Sequence, residues 1–208
     1  MARTGRPRSF DRAEAIEQAM HLFWAHGYES TSLALLKDAM GGISSPSFYA
    51  AFGSKEMLFE EVLKQYLETH GTVTAVLHDP SVAPRDAVEA ALRGSARMQT
   101  DPLHPPGCLL VISATTTPGD AVGSQSILAM DRASTRQGFA ACIQRAVEAR
   151  ELPGTFDVEA GALMLDTFMR GLTTQVRDGV AFAQLEAAIA CAMHWWKPPR
   201  RSVRKSAH

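Results

Sequence analysis

Apolar side chains recur along this chain at three- and four-residue intervals, and no stretch alternates apolar with polar for long. That pattern fits helices and not half-buried strands, so the 208 residues are expected to form an all-α protein of about nine helices. Short helices come first. Phe10 followed by Asp11-Arg12-Ala13-Glu14 reads as a capping box, in which Asp11 accepts from the free N–H groups of the first turn and Glu14 reaches back. Ile16, Met20, Phe23 and Trp24 share one face of this helix, and Gly27 supplies a left-handed residue that ends it. Residues 31–40 form a second helix, capped by Thr31 or Ser32, with Leu33, Leu36 and Met40 facing inward. Gly41-Gly42 breaks it and Ile43 plugs the turn. Ser44-Ser45-Pro46 then opens a third helix, with proline where its missing N–H costs nothing, and this helix ends near Phe52-Gly53. A fourth restarts at Ser54-Lys55-Glu56. It is apolar on more than one side through Met57, Leu58, Phe59, Val62, Leu63 and Tyr66, as a connector packed on two bodies would be.

Beyond residue 70 the helices lengthen, separated by breaks at Pro80, Pro84, Pro102, Pro105-Pro106-Gly107, Pro118-Gly119 and Pro153-Gly154. Helices are expected near 84–99, 107–114, 119–150, 157–178 and 182–196. The helix at 157–178 is capped by Asp157 and carries two apolar stripes. One runs through Val158, Ala162, Leu165, Met169, Leu172 and Val176, the other through Gly161, Met164, Phe168 and Gly171. A face that wide is buried on both sides, against its own core and against a neighbouring helix or another subunit.

Composition narrows the function classes. The chain is 46% hydrophobic and 21% charged, an ordinary globular balance. The apolar run from Ala187 to Trp196 falls well short of the ~20 residues that span a bilayer, and the start lacks a signal-peptide core, so a cytoplasmic location without membrane contact is expected. Three widely spaced cysteines, Cys108, Cys142 and Cys191, in apolar surroundings read as reduced, packed thiols. The chain contains no G-x-S-x-G elbow, H-E-x-x-H, P-loop or G-x-G-x-x-G, so neither an enzyme nor a cofactor is expected. His104 and Cys108 are separated by Pro105-Pro106, which forbids one helical face and speaks against a metal site.

The net charge of −1 is unevenly spread. Residues 1–12 carry +3, residues 197–208 carry +5, and residues 13–196, with 12 basic and 21 acidic side chains, carry −9. A basic arm on an acidic body is the pattern of a chain that touches nucleic acid at one edge. The C-terminal tail, with two prolines and little apolar content, cannot bury a core and reads as disordered. Two short helices joined by a glycine turn, the second opened by serines, match the helix-turn-helix plan, whose second helix enters the major groove by its N-terminus. The same spacing also suits a plain helical hairpin.

The run Ala25-His26-Gly27-Tyr28-Glu29-Ser30-Thr31-Ser32-Leu33, followed by Ile43-Ser44-Ser45-Pro46-Ser47-Phe48-Tyr49-Ala50-Ala51-Phe52-Gly53-Ser54-Lys55-Glu56-Met57-Leu58, resembles the DNA-binding region of the TetR/AcrR family of bacterial transcriptional regulators. The likeness covers residues 10–66, and Gly107-Cys108-Leu109-Leu110 resembles one branch of the family. It implies a helix-turn-helix domain with a basic arm at 1–53, a connector at 54–70, an effector-binding and dimerisation domain at 71–196 and the tail at 197–208. The implied function is that of a homodimeric, sequence-specific repressor on a palindromic double-stranded operator, released by a small-molecule effector.

In that frame Ser44, Ser45 and Ser47 direct hydroxyls and free N–H groups toward phosphates or base edges. The resemblance points the Tyr49 phenol at the DNA backbone, packs Phe48 and Phe52 inside and makes Lys55 a phosphate contact. Thr31 or Ser32 holds a phosphate while capping. Between Ser44 and Phe52 there is no Arg, Asn or Gln to read guanine or adenine bidentately. Readout then falls to serine hydroxyls, thymine-methyl contacts from Pro46 or Ala50, and DNA shape. The arm Gly5-Arg6-Pro7-Arg8 can read that shape from the minor groove with Arg6 and Arg8. Gly41-Gly42 departs from the usual single glycine and alters the entry of the third helix.

The effector pocket is expected among Met98, Cys108, Ile112, Met130, Phe139, Met164 and Phe168, a lining suited to an apolar or aromatic ligand. The dimer interface is expected to involve Met169, Leu172, Val176, Leu185, Ile189 and Met193. An alternative keeps the scaffold but makes it redox- or metal-responsive through Cys108, Cys142 and Cys191.

Overall fold

The computed structural model describes residues 11–196, and all regular elements among them are helical. They are α1 (Arg12–Ser30), α2 (Leu33–Ala39), α3 (Ser45–Phe52), α4 (Lys55–Thr69), α5 (Pro84–Gln99), α6 (Leu109–Thr116), α7 (Val122–Glu148), α8 (Val158–Arg177) and α9 (Phe182–Ala192). Short 3₁₀ helices span His70–His78 and Met193–Trp195. The first of these has no counterpart in the sequence reading, and the second is where the helix expected to run to 196 tightens. Among the described residues no helix is long and apolar enough to cross a membrane. Arg6, Arg8 and the 197–208 tail lie outside the described residues.

The chain forms two compact units. The first holds the described residues up to Thr69 together with Cys108–Leu128, so it includes α6, which the sequence reading had grouped with the C-terminal helices. At the start of α1 the Asp11 carboxylate accepts from the N–H groups of Ala13 and Glu14 at 2.9 and 3.2 Å, while Glu14 stays exposed. Gly27 has φ 79° and ψ 169°, an extended mirror-image conformation and not the left-handed helical one expected; α1 kinks there and continues to Ser30. A Cβ at Gly27 would lie 3.0 Å from Thr116 Oγ1, so the bare backbone also lets α6 close on α1. The core of this unit is aromatic. Trp24 meets Tyr66 edge-on at 4.9 Å, Phe23 packs on Phe59 at 4.8 Å, and all four are fully buried. Each such side chain contributes about 1.5–3 kcal/mol by leaving water.

The second unit comprises residues 70–107 and 129–196 among those described. Leu92, Phe139, Ile143, Leu165 and Ile189 fill its centre. Met169, Leu172, Val176, Leu185, Ile189 and Met193, expected at a subunit interface, all belong to this core and are at most 8% exposed. The stripe they form packs α8 and α9 onto their own unit, so these side chains serve first as core. Of the other stripe Gly161 is buried and Phe168 packs against the core, and the outward side of α8 carries Leu163, 52% exposed, and Met164, 44% exposed. Two polar devices fix α8. Buried Asp166 accepts from Arg136 of α7 at 3.2 Å and from Arg170 at 2.6 Å. Thr173 Oγ1 donates to Gln99 Oε1, and Gln99 Nε2 donates to Ser95 Oγ, both at 2.8 Å, a buried chain joining α8 to α5.

The expected pocket lining is corrected at three positions. Phe139 is solid core, Met130 is 61% exposed, and Met164 faces outward as one wall of an open apolar cleft of about 320 Å³ beside Phe156 and Trp195. Met98, Cys108, Ile112 and Phe168 are half-buried.

Candidate nucleic-acid interface

Ser32 caps α2, its Oγ accepting from the Leu35 N–H at 3.1 Å while the side chain stays exposed. Thr31, the other cap candidate, is fully buried, and its hydroxyl donates to the Gly27 carbonyl at 2.7 Å. It ties down the kink in α1 and has no access to a phosphate, which corrects the role expected for it.

The turn after α2 folds back on Lys37, whose carbonyl accepts from the N–H groups of Gly42 and Ile43 at 2.9 and 3.2 Å. Gly41 and Gly42 have φ of 81° and 74°, angles that side-chain-bearing residues rarely adopt. A Cβ at either would meet nothing within 4 Å, so the backbone angle and not crowding demands glycine. The second glycine is thereby absorbed as a second positive-φ residue before α3.

Ser44 opens α3. Its Oγ accepts from the Ser47 N–H at 3.2 Å and shares a 2.9 Å hydrogen bond with Ser47 Oγ. Phe48 and Phe52 are buried, whereas Pro46, Ser47, Tyr49 and Ala50 are exposed, so the helix turns a small, hydroxyl-bearing surface outward. Tyr49 is 51% exposed with its ring edge-on to Phe48 at 5.6 Å, a surface residue and not a core one. Ser45, half-buried, accepts from Lys37 Nζ at 2.9 Å.

Lys55 begins α4. Its ammonium donates to the Tyr28 carbonyl at 2.7 Å and lies 4.2 Å from the centre of the Tyr28 ring. Burial lowers its pKa from the ordinary lysine value, opposed by Glu29. Burial, and then Glu56, Glu29 and Asp120, raise that of the Tyr28 phenol, which favours the neutral form. The lysine is therefore held in place before any ligand arrives. Arg12 lies over the Phe52 ring at 5.2 Å and pairs with Glu61 at 2.6 Å, tying the start of α1 to the end of α3 and to α4.

The structure thus brings Ser44, Ser45, Pro46, Ser47 and Tyr49 onto one short helix, with Ser32 on the helix before it and Lys55 on the helix after it. Free N–H groups and hydroxyls at a helix opening suit anions and base edges. Sequence reasoning missed Lys37. The only available signal was a lysine in the preceding helix, and its reach to Ser45 depends on the double-glycine turn.

The cysteines differ from one another. Cys142 is buried and donates to the Leu77 carbonyl at 3.3 Å; burial raises its thiol pKa, against the pull of Arg145, whose Nη2 lies 3.7 Å from the sulfur. Cys108 is half-buried and accepts from the Tyr66 hydroxyl at 3.4 Å. Cys191 is exposed and not packed as expected.

Comparisons with known proteins agree with this geometry. The family model described as bacterial regulatory proteins, tetR family, matches residues 15–62. The HTH-type transcriptional repressor ComR of Escherichia coli (strain K12) is 31% identical over 197 residues, 92% of this chain and 91% of that protein. The HTH-type transcriptional repressor BdcR of the same strain is 32% identical over 189 residues, 90% of each chain. Among solved structures, a cysteine-substituted form of the TetR family regulator CifR, complexed with 26-bp double-stranded operator DNA, is 37% identical. It superposes with a TM-score of 0.80 over 92% of this chain and 100% of that one.

Proposed function

This chain belongs to the TetR family of bacterial regulatory proteins, and from that premise we propose how its residues serve a helix-turn-helix transcriptional repressor that binds operator DNA. It is a regulator and not an enzyme. The observation that carries the assignment of roles is the outward face of α3, where Ser47, Pro46 and Tyr49 are exposed while Phe48 and Phe52 anchor the helix. In this reading α3 enters the major groove by its N-terminus. Ser44, Ser45, Pro46 and Ser47 meet base edges and phosphates, and Ser32, Tyr49 and Lys55 hold the backbone. Arg6 and Arg8 reach the adjacent minor groove.

Two chains act together on a palindromic operator in the cytoplasm, with recognition helices ~34–36 Å apart or somewhat more. The outward stripe of α8, with Leu163 and Met164, and the small side chains of α9 around Ala187, Ala188 and Cys191 supply the dimer face in place of the buried residues first expected. A small apolar or aromatic effector, bound within the 71–196 region, changes that spacing and releases the operator. The half-buried Met98 and Phe168, both in the second unit, support the apolar character.

The test is transcription from promoters whose DNA the purified protein retains, compared in cells with and without the protein. Higher expression in its absence, and release of the DNA in vitro by an apolar compound, are expected. Expression that falls in its absence would replace repression by activation.

A further inference from the structure

The recognition helix brings no cationic or amide side chain of its own to its opening, yet an ammonium stands there. Lys37, on α2, hydrogen-bonds Ser45, the first residue of α3, with Nζ and Oγ 2.9 Å apart. No carboxylate among the described residues lies within 4.0 Å of Lys37, although Asp38 is its chain neighbour. The ammonium spends one of its three N–H donors on Ser45 and has two to give. Because the Ser45 oxygen accepts that bond, its own O–H proton is free to donate as well. The pair therefore presents two donors side by side at the end of the helix that, in a helix-turn-helix, meets the bases first.

The four bases differ in what they offer in the major groove. Guanine shows two adjacent acceptors, O6 and N7; adenine pairs an acceptor with a donor, thymine an acceptor with a methyl group, and cytosine shows a donor. Two neighbouring donors satisfy both groups of guanine only. With adenine one donor would face another, and with thymine one would face carbon.

We propose that Lys37 and Ser45 form a two-part reader of a guanine in each half-site, with Lys37 a specificity-determining residue carried on the helix before the recognition helix. This rests on the operator-binding reading above. The Gly41-Gly42 turn serves the same end, because it folds back on the Lys37 carbonyl and so brings α2 and the start of α3 together.

The experiment is selection of binding sites from a random double-stranded DNA library by the full chain, by Lys37→Gln and by Ser45→Ala, each with a binding titration at several salt concentrations. The wild type is expected to enrich a guanine at one position of each half-site. Both variants should lose that preference at that same position by about tenfold, and Lys37→Gln should also lower the salt slope by about one. Ser45→Ala keeps the charge, so its slope should not move. If Lys37→Gln weakens every sequence equally and leaves the guanine preference intact, Lys37 is a phosphate contact and the inference is wrong. Unchanged preferences in Ser45→Ala overturn it independently, even if Lys37→Gln fails to fold. A wild-type protein that enriches no sequence would defeat the operator-binding reading itself, a result distinct from the other two.

Discussion

Thr31 and Ser32 are adjacent hydroxyl residues before the same helix, and the sequence left the choice of cap between them open. Packing decides it. Thr31 is turned inward to the carbonyl of the kinked Gly27, and Ser32 is turned outward to cap α2. Thr31→Val keeps the shape and removes the bond, so it should cost about 1 kcal/mol of stability in thermal unfolding and leave the salt slope of operator binding unchanged. Lys55→Ala should lower the salt slope by about one and also cost stability, because it removes the bond to the Tyr28 carbonyl. The lysine itself was legible through the family resemblance, but its seat on Tyr28 was not, because that contact spans 27 positions of sequence. Another residue-scale consequence concerns Asp131, whose carboxyl pKa is raised, first by burial and then by Asp166, against the pull of Arg170 and Arg132. A raised carboxyl contributes stability that is complete below the unfolded value of about 3.9 and is lost as pH rises through the folded one. Asp131→Asn should therefore raise the unfolding temperature at pH 7, and the gain should disappear as pH falls below about 4.

At the scale of elements, the helices were legible because helix periodicity, caps and proline breaks are local signals. Pro84 begins α5, Asp157 caps α8 through the Ala160 N–H at 3.0 Å, and Ser44 caps α3, all where the sequence places them. What a helical wheel does not contain is which of two apolar stripes faces the chain's own core. On α8 the stripe through Met169, Leu172 and Val176 is richer in large side chains and goes inside, leaving Leu163 and Met164 outside. Leu163→Glu places a charge on that outward stripe without touching the core. It should convert the proposed dimer to monomer in sedimentation analysis while leaving helical content near that of the wild type. A dimer unaffected by the change would move the interface off α8.

For the molecule as a whole, the charge of −1 masks a basic opening and a basic tail around an acidic body. The helix-turn-helix was legible because its glycines, serines and aromatic anchors sit close together in sequence and specify a turn, a cap and a small core. The lining proposed for an effector was less so, since no local pattern tells a pocket residue from a core one, and residues such as Phe139 serve as core. The account stands on two copies of the reader meeting one operator. Sequencing the genomic fragments retained by the full chain tests this most directly. The account predicts a shared palindromic site with half-sites separated by about one helical turn or somewhat more; retention of fragments with no common motif, or with a single asymmetric half-site, would contradict it.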